Sequence, residues 1–290
     1  TSTIFLLQKY VVSRKSFTMS SLRPIEVKEM KGAGNALMHV LIYLLVAVSM
    51  IPQLVVIYTS FLETRGAVFT GAYSLDSYTT IFSSLGTAIS NTYLFSTAAI
   101  LAIVFLGMTV AYLTTRRKSM LTDIIDTLTM FPYIIPGSVL GITLLLAFNE
   151  EPILLSGTAL IIIISLVIRR LPYTLRSSSA ILYQISPSIE EASISLGASP
   201  LKTFFKVTAI MMLPGVMSGA ILSWITAINE LSSSVILFTG ATKTMSVAIY
   251  TEVIRASYGT AAALSTILTL TTIVAMVTFF KVSGSKDVTL

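Results

Sequence analysis

The stretch Ser186–Pro214, SPSIEEASISLGASPLKTFFKVTAIMMLP, decides the fold, because it is a polar, charged island between segments that read as hydrocarbon-spanning helices. Ser186 is placed to cap a helix whose first position is Pro187, and Ser188 and Glu191 stand at capping-box spacing. Gly197 sits where a helix stops in a left-handed turn, and Ser199 followed by Pro200 repeats the start signal. The expectation is a short helix, a glycine-hinged turn and a second helix that feeds straight into an apolar span. Such broken backbone cannot lie in lipid, so the element must face water or a partner protein. An amphipathic linker and a DNA-reading helix-turn-helix are the alternatives; the second would not normally be wedged between membrane spans.

Working outward, the 290 residues are 54% apolar and 11% charged with a mean hydropathy of +0.87, which excludes a soluble globular domain as the default. The absence of cysteine removes disulfides, thiolate metal sites and a cysteine nucleophile. A single histidine, His39, argues against a histidine metal centre and a Ser-His-Asp triad. No phosphate-binding GxxxxGK[ST] and no HExxH occur, so any ATP hydrolysis by that chemistry belongs to another subunit. No cofactor, metal or nucleic acid is implied, and the chain is not read as an enzyme.

Six transmembrane helices are expected in an all-α integral membrane protein, each near the roughly 20 residues a bilayer requires. They cover about 36–61, with Pro52 inside, then 89–113, 121–148, 153–168, 209–231 and 258–280. A mostly polar loop, 63–90, separates the first two. The third contains FPYIIPGSVLGI, in which Pro132 and Pro136 each remove a backbone donor and Gly137 and Gly141 allow close approach, so it should bend or open. Asp123 and Asp126, three apart in the first turn of that span, suit the helix dipole and ion pairs with Arg116 and Arg117. Arg169 and Arg170 are read as the stop of the fourth span.

Charge then orients the chain. The basic residues of the leader 1–35 (Lys9, Arg14, Lys15, Arg23, Lys28 and Lys31), Arg116 to Lys118, Arg169, Arg170, Arg176, Lys202, Lys206, Lys281 and Lys286 all fall on one side, leaving only Arg65, Lys243 and Arg255 opposite. By the positive-inside rule both termini and the island at 186–214 are cytoplasmic.

Glu191, Ala192 and Ser193, with Gly197 after three further residues, resemble the EAA loop of the membrane subunits of binding-protein-dependent ABC importers. The wider run RRLPYTLRSSSAILYQISPSIEEASISLGASPLKTFFKV is most similar to the ferric-iron permeases and their relatives. Ser193 stands for the second alanine of the pattern, and Val207 to Ile210 lack a proline found there. FLLQKYVVSRKSF, followed by RPIEV, resembles the connector between the halves of fused double-length iron permeases, which implies the second half of a longer polypeptide; a trimmed single permease is the alternative. The implied organisation is a basic leader or connector at 1–35 and a six-span domain of the type I importer (MetI-like) fold at 36–290. Its cytoplasmic coupling loop would lie at about 170–208.

The resemblance implies a bacterial cytoplasmic-membrane permease subunit that carries ferric iron. It implies as partners two cytoplasmic ABC ATPase subunits, an extracytoplasmic solute-binding protein, a second permease half and the lipid bilayer. The coupling loop would use Glu190, Glu191, Ala192, Ser193, Gly197, Ser199 and Pro200, with Glu191 orienting the docking helix through polar contacts. Pro132, Pro136, Asn229 and Glu230 are candidates for the translocation path. Glu230, near the outer end of the fifth span in a sequence similar to the family's Gly-Glu-Leu-Ser, is there because intramembrane carboxylates face cavities or partners. Phosphonate, thiamine, phosphoglycerate or polyamines are alternative cargoes. A membrane enzyme using Asp123, Asp126 and Glu230 would require those carboxylates to converge, and a passive channel would leave the loop without a purpose.

Overall fold

In the computed structural model, residues 32–282 are described; the leader Lys9 to Lys31 and Lys286, which entered the charge argument, lie outside them. The chain divides into two compact units, Thr1–Ile51 and Pro52–Leu290. Helix α1, Ala33–Thr59, provides the described part of the first unit and continues through Pro52.

The second unit opens with an antiparallel hairpin, β1 (Leu62–Arg65) and β2 (Val68–Tyr73), turning at Gly66. The loop expected at 63–90 is thus largely ordered: after the hairpin comes the 41-residue helix α2, Asp76–Arg116, with a π-helical turn at Ile81–Leu85. Ser119 caps the next helix through a capping box with Thr122. That span is broken as anticipated, into α3 (Met120–Ile134) and α4 (Gly137–Ala147), with a bend of 111° between them. The break falls at Ile135 and Pro136, whereas Pro132 lies inside α3 without ending it.

Helix α5 spans Ala159–Gln184 and corrects the expected fourth span: it runs straight through Arg169 and Arg170 instead of stopping there. The polar connection is correspondingly narrower than 170–208. It holds α6 (Pro187–Ser195) and ends where α7, Pro200–Ile228, begins with a π-helical turn at Phe204–Thr208. Two short helices, α8 (Ser234–Leu237) and α9 (Met245–Ile254), precede α10, Tyr258–Val282. Four described helices are long and apolar enough to cross a membrane, and α3 with α4 makes a fifth, broken one. The expected count of six is reached only by adding α5, whose length suffices but whose three arginines make it less apolar.

Helices in lipid gain little from hydrophobic burial against one another, so close backbone approach through small residues has to hold them. A seam of this kind joins α2, α5 and α7. A Cβ on Gly215 would stand 2.6 Å from the Ile181 side chain, and one on Gly219 would stand 2.8 Å from the Thr174 backbone. Gly107 of α2 admits Thr174 in the same way, and the Ser177 hydroxyl donates to the Gly215 carbonyl at 2.5 Å. Ala111, Leu175, Leu182, Met212 and Val216 fill the seam on one side of this level, and Phe95, Ile103, Ile161, Leu166 and Ala227 fill it on the other. Large side chains on the outer faces remain exposed, among them Leu101 and Phe105 on α2, Leu213 and Leu222 on α7 and Val274 on α10, as bilayer-facing surfaces require.

Candidate functional site: a docking helix and an intramembrane charge cluster

The island read first from the sequence is a compact, well-capped element. Ser186 accepts from the Ser188 amide at 3.4 Å, Pro187 opens α6, and no Ser188–Glu191 capping box forms. At the other end Gly197 adopts φ +90°. Its amide donates to the Ile194 carbonyl at 2.9 Å, and the Ala198 amide donates to Ser193 at 3.2 Å, the paired bonds of a Schellman stop. Ser199 then caps α7, accepting from the Lys202 amide at 3.3 Å with Pro200 at the first position. Ser193 bonds Thr203 across the turn at 3.0 Å, which fixes the angle between α6 and α7.

The carboxylate that anchors α6 is Glu190. It is buried, accepts from Arg116 Nε at 3.0 Å and from the Tyr112 hydroxyl at 3.1 Å, and Arg116 Nη2 also donates to the Ile185 carbonyl at 2.7 Å. Glu191, expected to supply the orienting polar contacts, instead points outward and makes none among the described residues. The reason is register: one residue along a helix is a 100° rotation, which turns position 190 toward α2 and position 191 away. Leu196 and Leu201 lie exposed beside the turn.

A second polar assembly lies midway along α5. Glu230, just beyond the end of α7, is buried against both arginines: Arg169 Nε donates to its Oε2 at 3.2 Å, and Arg170 Nη2 donates to the same oxygen. Oε1 accepts from the Ser233 amide at 3.2 Å. The carboxylate thus sits at the end of α7, as its place in the sequence suggested, and at the same time against the middle of α5 at the start of the segment leading to α8. The helix break is part of the same assembly, because Arg169 Nη1 reaches the Ile135 carbonyl at 3.4 Å and a Cβ on Gly137 would meet Arg169 at 2.7 Å and Ser232 at 2.6 Å. Ser165 donates to Ser233 at 2.9 Å, and Ser223 donates to the Arg170 carbonyl at 3.0 Å.

Of the other path candidates, Pro136 borders this assembly. Asn229 is exposed and bonds only the Ile225 carbonyl of its own helix, at 2.8 Å. Asp126 pairs with Arg176 of α5 at 3.2 Å, not with Arg116 or Arg117. Arg176 and Arg170 are six residues apart on one helix, roughly 9 Å in rise, so Asp126 and Glu230 are held at different levels and do not converge. Arg169 and Arg170 were invisible as an ion-pair site in the sequence because their partner lies 61 and 60 residues away.

A long-helix membrane bundle with a broken span, buried intramembrane charge and a capped helical turn outside the apolar spans defines a membrane transport component. The chain belongs to the family of binding-protein-dependent transport system inner membrane components, whose pattern matches residues 103–282. It is 31% identical over 230 residues to the ferric transport system permease protein FbpB of Actinobacillus pleuropneumoniae, covering 78% of this chain and 33% of that protein. It is 32% identical over 154 residues to the molybdate/tungstate transport system permease protein WtpB of Pyrococcus abyssi, covering 52% of this chain and 59% of that one. The chain thus spans about a third of the first of these relatives and under two thirds of the second. Its fold matches a chain of a bacterial ABC transporter that imports the acidic polysaccharide alginate, with a TM-score of 0.69 at 13% identity over 87% of this chain and 96% of that one. The fold is that of type I (MetI-like) importer permeases.

Proposed function

We propose that this chain is the second permease half of an ATP-driven importer that moves ferric iron across the bacterial cytoplasmic membrane, and that α6 is its coupling helix. The observation that carries the coupling assignment is the anchoring of α6: a nine-residue helix tied to the end of α2 by Glu190, Arg116 and Tyr112 and joined to α7 through the short glycine turn at 196–199. A push on α6 is then delivered to two membrane-spanning helices rather than absorbed in a loop.

In this reading two ATPase subunits, one under each permease half, engage the outer face of α6, where Glu191, Leu196 and Leu201 are exposed. The other half comes from the same polypeptide or a second copy, with residues 1–35 as leader or connector and both termini cytoplasmic. The surviving basic clusters support that orientation: Arg116 to Lys118 and Lys202 with Lys206 flank α6, while Arg65, Lys243 and Arg255 lie toward the opposite ends of the spans. A solute-binding protein delivers cargo on that opposite side. ATP closure would rock the spans around the mid-membrane assembly, with the bend at Ile135 and Pro136 as the natural place for α3 and α4 to change their angle.

Ferric iron is the first choice of cargo because the similarity to the ferric permease spans most of the chain. A second cargo, an oxyanion such as molybdate or tungstate, is favoured by the comparable identity to the Pyrococcus abyssi permease. The deciding measurement is uptake of radiolabelled ferric iron under iron starvation, in cells lacking the gene and in cells restored with the native gene or a Glu191→Ala/Gly197→Val double variant. Iron uptake restored by the native gene alone is the expected result. Unchanged iron uptake on deletion, with loss of molybdate uptake, would transfer the cargo and keep the importer. Native-level uptake by the double variant would remove the coupling role of α6.

A further inference from the structure

Glu230 is a single negative charge held against two guanidiniums. Arg169 and Arg170 converge on one of its oxygens, while the other is taken by the Ser233 amide. Among the described residues no other carboxylate lies within ion-pair distance of either arginine, and Asp126, on the neighbouring α3, is already engaged by Arg176. The assembly therefore carries one uncompensated positive charge.

Its donors are not exhausted either. Arg170 Nε is buried without a hydrogen-bond partner, and Arg169 Nη1 has only a long contact to the Ile135 carbonyl. The two arginine side chains keep 16% and 13% of their surface exposed, so the assembly is not sealed, whereas Glu230 keeps 2%. It lies near the middle of α5: Arg170 is about 16 Å along the helix axis from the start at Ala159 and about 21 Å from the end at Gln184, the level of a mid-membrane site when α5 serves as the sixth span. The helix break, whose free carbonyl at Ile135 bonds Arg169, and the edge-to-face pair Tyr133 and Tyr173, at 5.6 Å, adjoin the same level.

An unbalanced guanidinium within a membrane is costly, and such residues mark the routes of charges that compensate them. Guanidinium forks select for paired oxygens, as in carboxylates and tetrahedral oxyanions, and repel cations. We propose that Arg169 and Arg170 form a mid-membrane receiving site for a cargo that presents anionic oxygens, either a free tetrahedral oxyanion or a metal enclosed in a net-negative oxygen-ligand chelate, and that an uncomplexed metal cation does not pass this point. The inference rests on the importer reading above and adds the charge class of its cargo.

The test uses cells lacking the gene, restored within the complete transporter by the native chain, Arg170→Gln, Arg170→Lys or Gly197→Val, with radiolabelled molybdate and radiolabelled ferric citrate as probes. Arg170→Gln abolishes the excess charge while leaving the Arg169–Glu230 pair. The expected result is that the native chain restores uptake of at least one probe and that Arg170→Gln lowers it at least about tenfold, the scale of one charge-assisted bond. Arg170→Lys keeps the charge without the fork and raises the half-saturating probe concentration. Native-like uptake by Arg170→Gln, with Gly197→Val impaired, overturns the anion site and leaves the importer standing. If Arg170→Gln fails to reach the membrane, native-like half-saturation by Arg170→Lys overturns it equally. A native chain that restores neither probe removes the importer reading for these cargoes, and this inference with it.

Discussion

Glu190 and Glu230 are the same side chain in two different settings, and the contrast separates an anchor from a functional charge. Both are buried, both sit at a helix junction and both bind arginine. Glu190 is balanced: one guanidinium, one phenol and a carbonyl that takes the spare arginine donor, so the group closes on itself and fixes α6 to α2. Glu230 is outnumbered, deeper and bordered by a helix break. Balance fits a joint, whereas an unmet charge needs something else to complete it.

That contrast can be broken most severely at Glu230. Glu230→Gln leaves two buried guanidiniums without a counter-charge and should cost on the order of 3–5 kcal/mol, read as a large drop in the thermal unfolding midpoint of the purified chain in detergent or nanodiscs. Restoration of that midpoint by adding Arg170→Gln would confirm that charge imbalance is the cause. Gly137→Ala comes next, because its methyl would overlap Arg169 and Ser232; about 1–3 kcal/mol of destabilisation is expected in the same assay. Glu190→Gln should cost less, about 1–2 kcal/mol, since an amide still accepts from Tyr112 and the site lies nearer water; under the coupling role proposed for α6, its larger signature is loss of transport-linked ATP hydrolysis.

The smallest effect is expected at Glu63, the exposed counterpart of both. The Thr70 hydroxyl and then Arg65 hold its carboxyl below the ordinary carboxylate value. A lowered folded-state value means that the stabilisation is fully present above the unfolded-state value and is lost as pH falls through the folded one. The hairpin should therefore loosen only in acid below the usual carboxylate range, seen as faster proteolysis between β1 and β2, and Glu63→Gln should erase that dependence. Side-chain exposures of 2%, 12% and 30% for Glu230, Glu190 and Glu63 rank the three in the order of these effects.

What the sequence disclosed and what it hid follows from the range of the forces involved. Ser186, Pro187, Gly197, Ser199 and Pro200 act on backbone groups within a few residues, so their spacing was enough to place α6, its stop and the start of α7. Arg169 and Arg170 look like a span terminus because hydropathy prices each arginine as if alone in lipid, and only a carboxylate about sixty residues away changes that price. Asp126 was matched to the wrong arginines for the same reason, its partner Arg176 being 50 residues distant. The choice between Glu190 and Glu191 turned on a 100° rotation that adjacent identical residues cannot reveal without the neighbouring helix. Helix α9, only ten residues long, was too short to stand out as a span and was absorbed into an expected loop.

The glycine seam carries a mechanical consequence. Where Gly215 admits the Ile181 side chain and Gly219 admits the Thr174 backbone, α5 and α7 pack without an intervening layer of long side chains, and such close packing transmits strain. One end of that pair is the turn around Gly197, and Arg170 lies about 21 Å along α5 from Gln184. A displacement imposed at the first point is therefore passed along packed helices toward the second, which adjoins the 111° bend between α3 and α4.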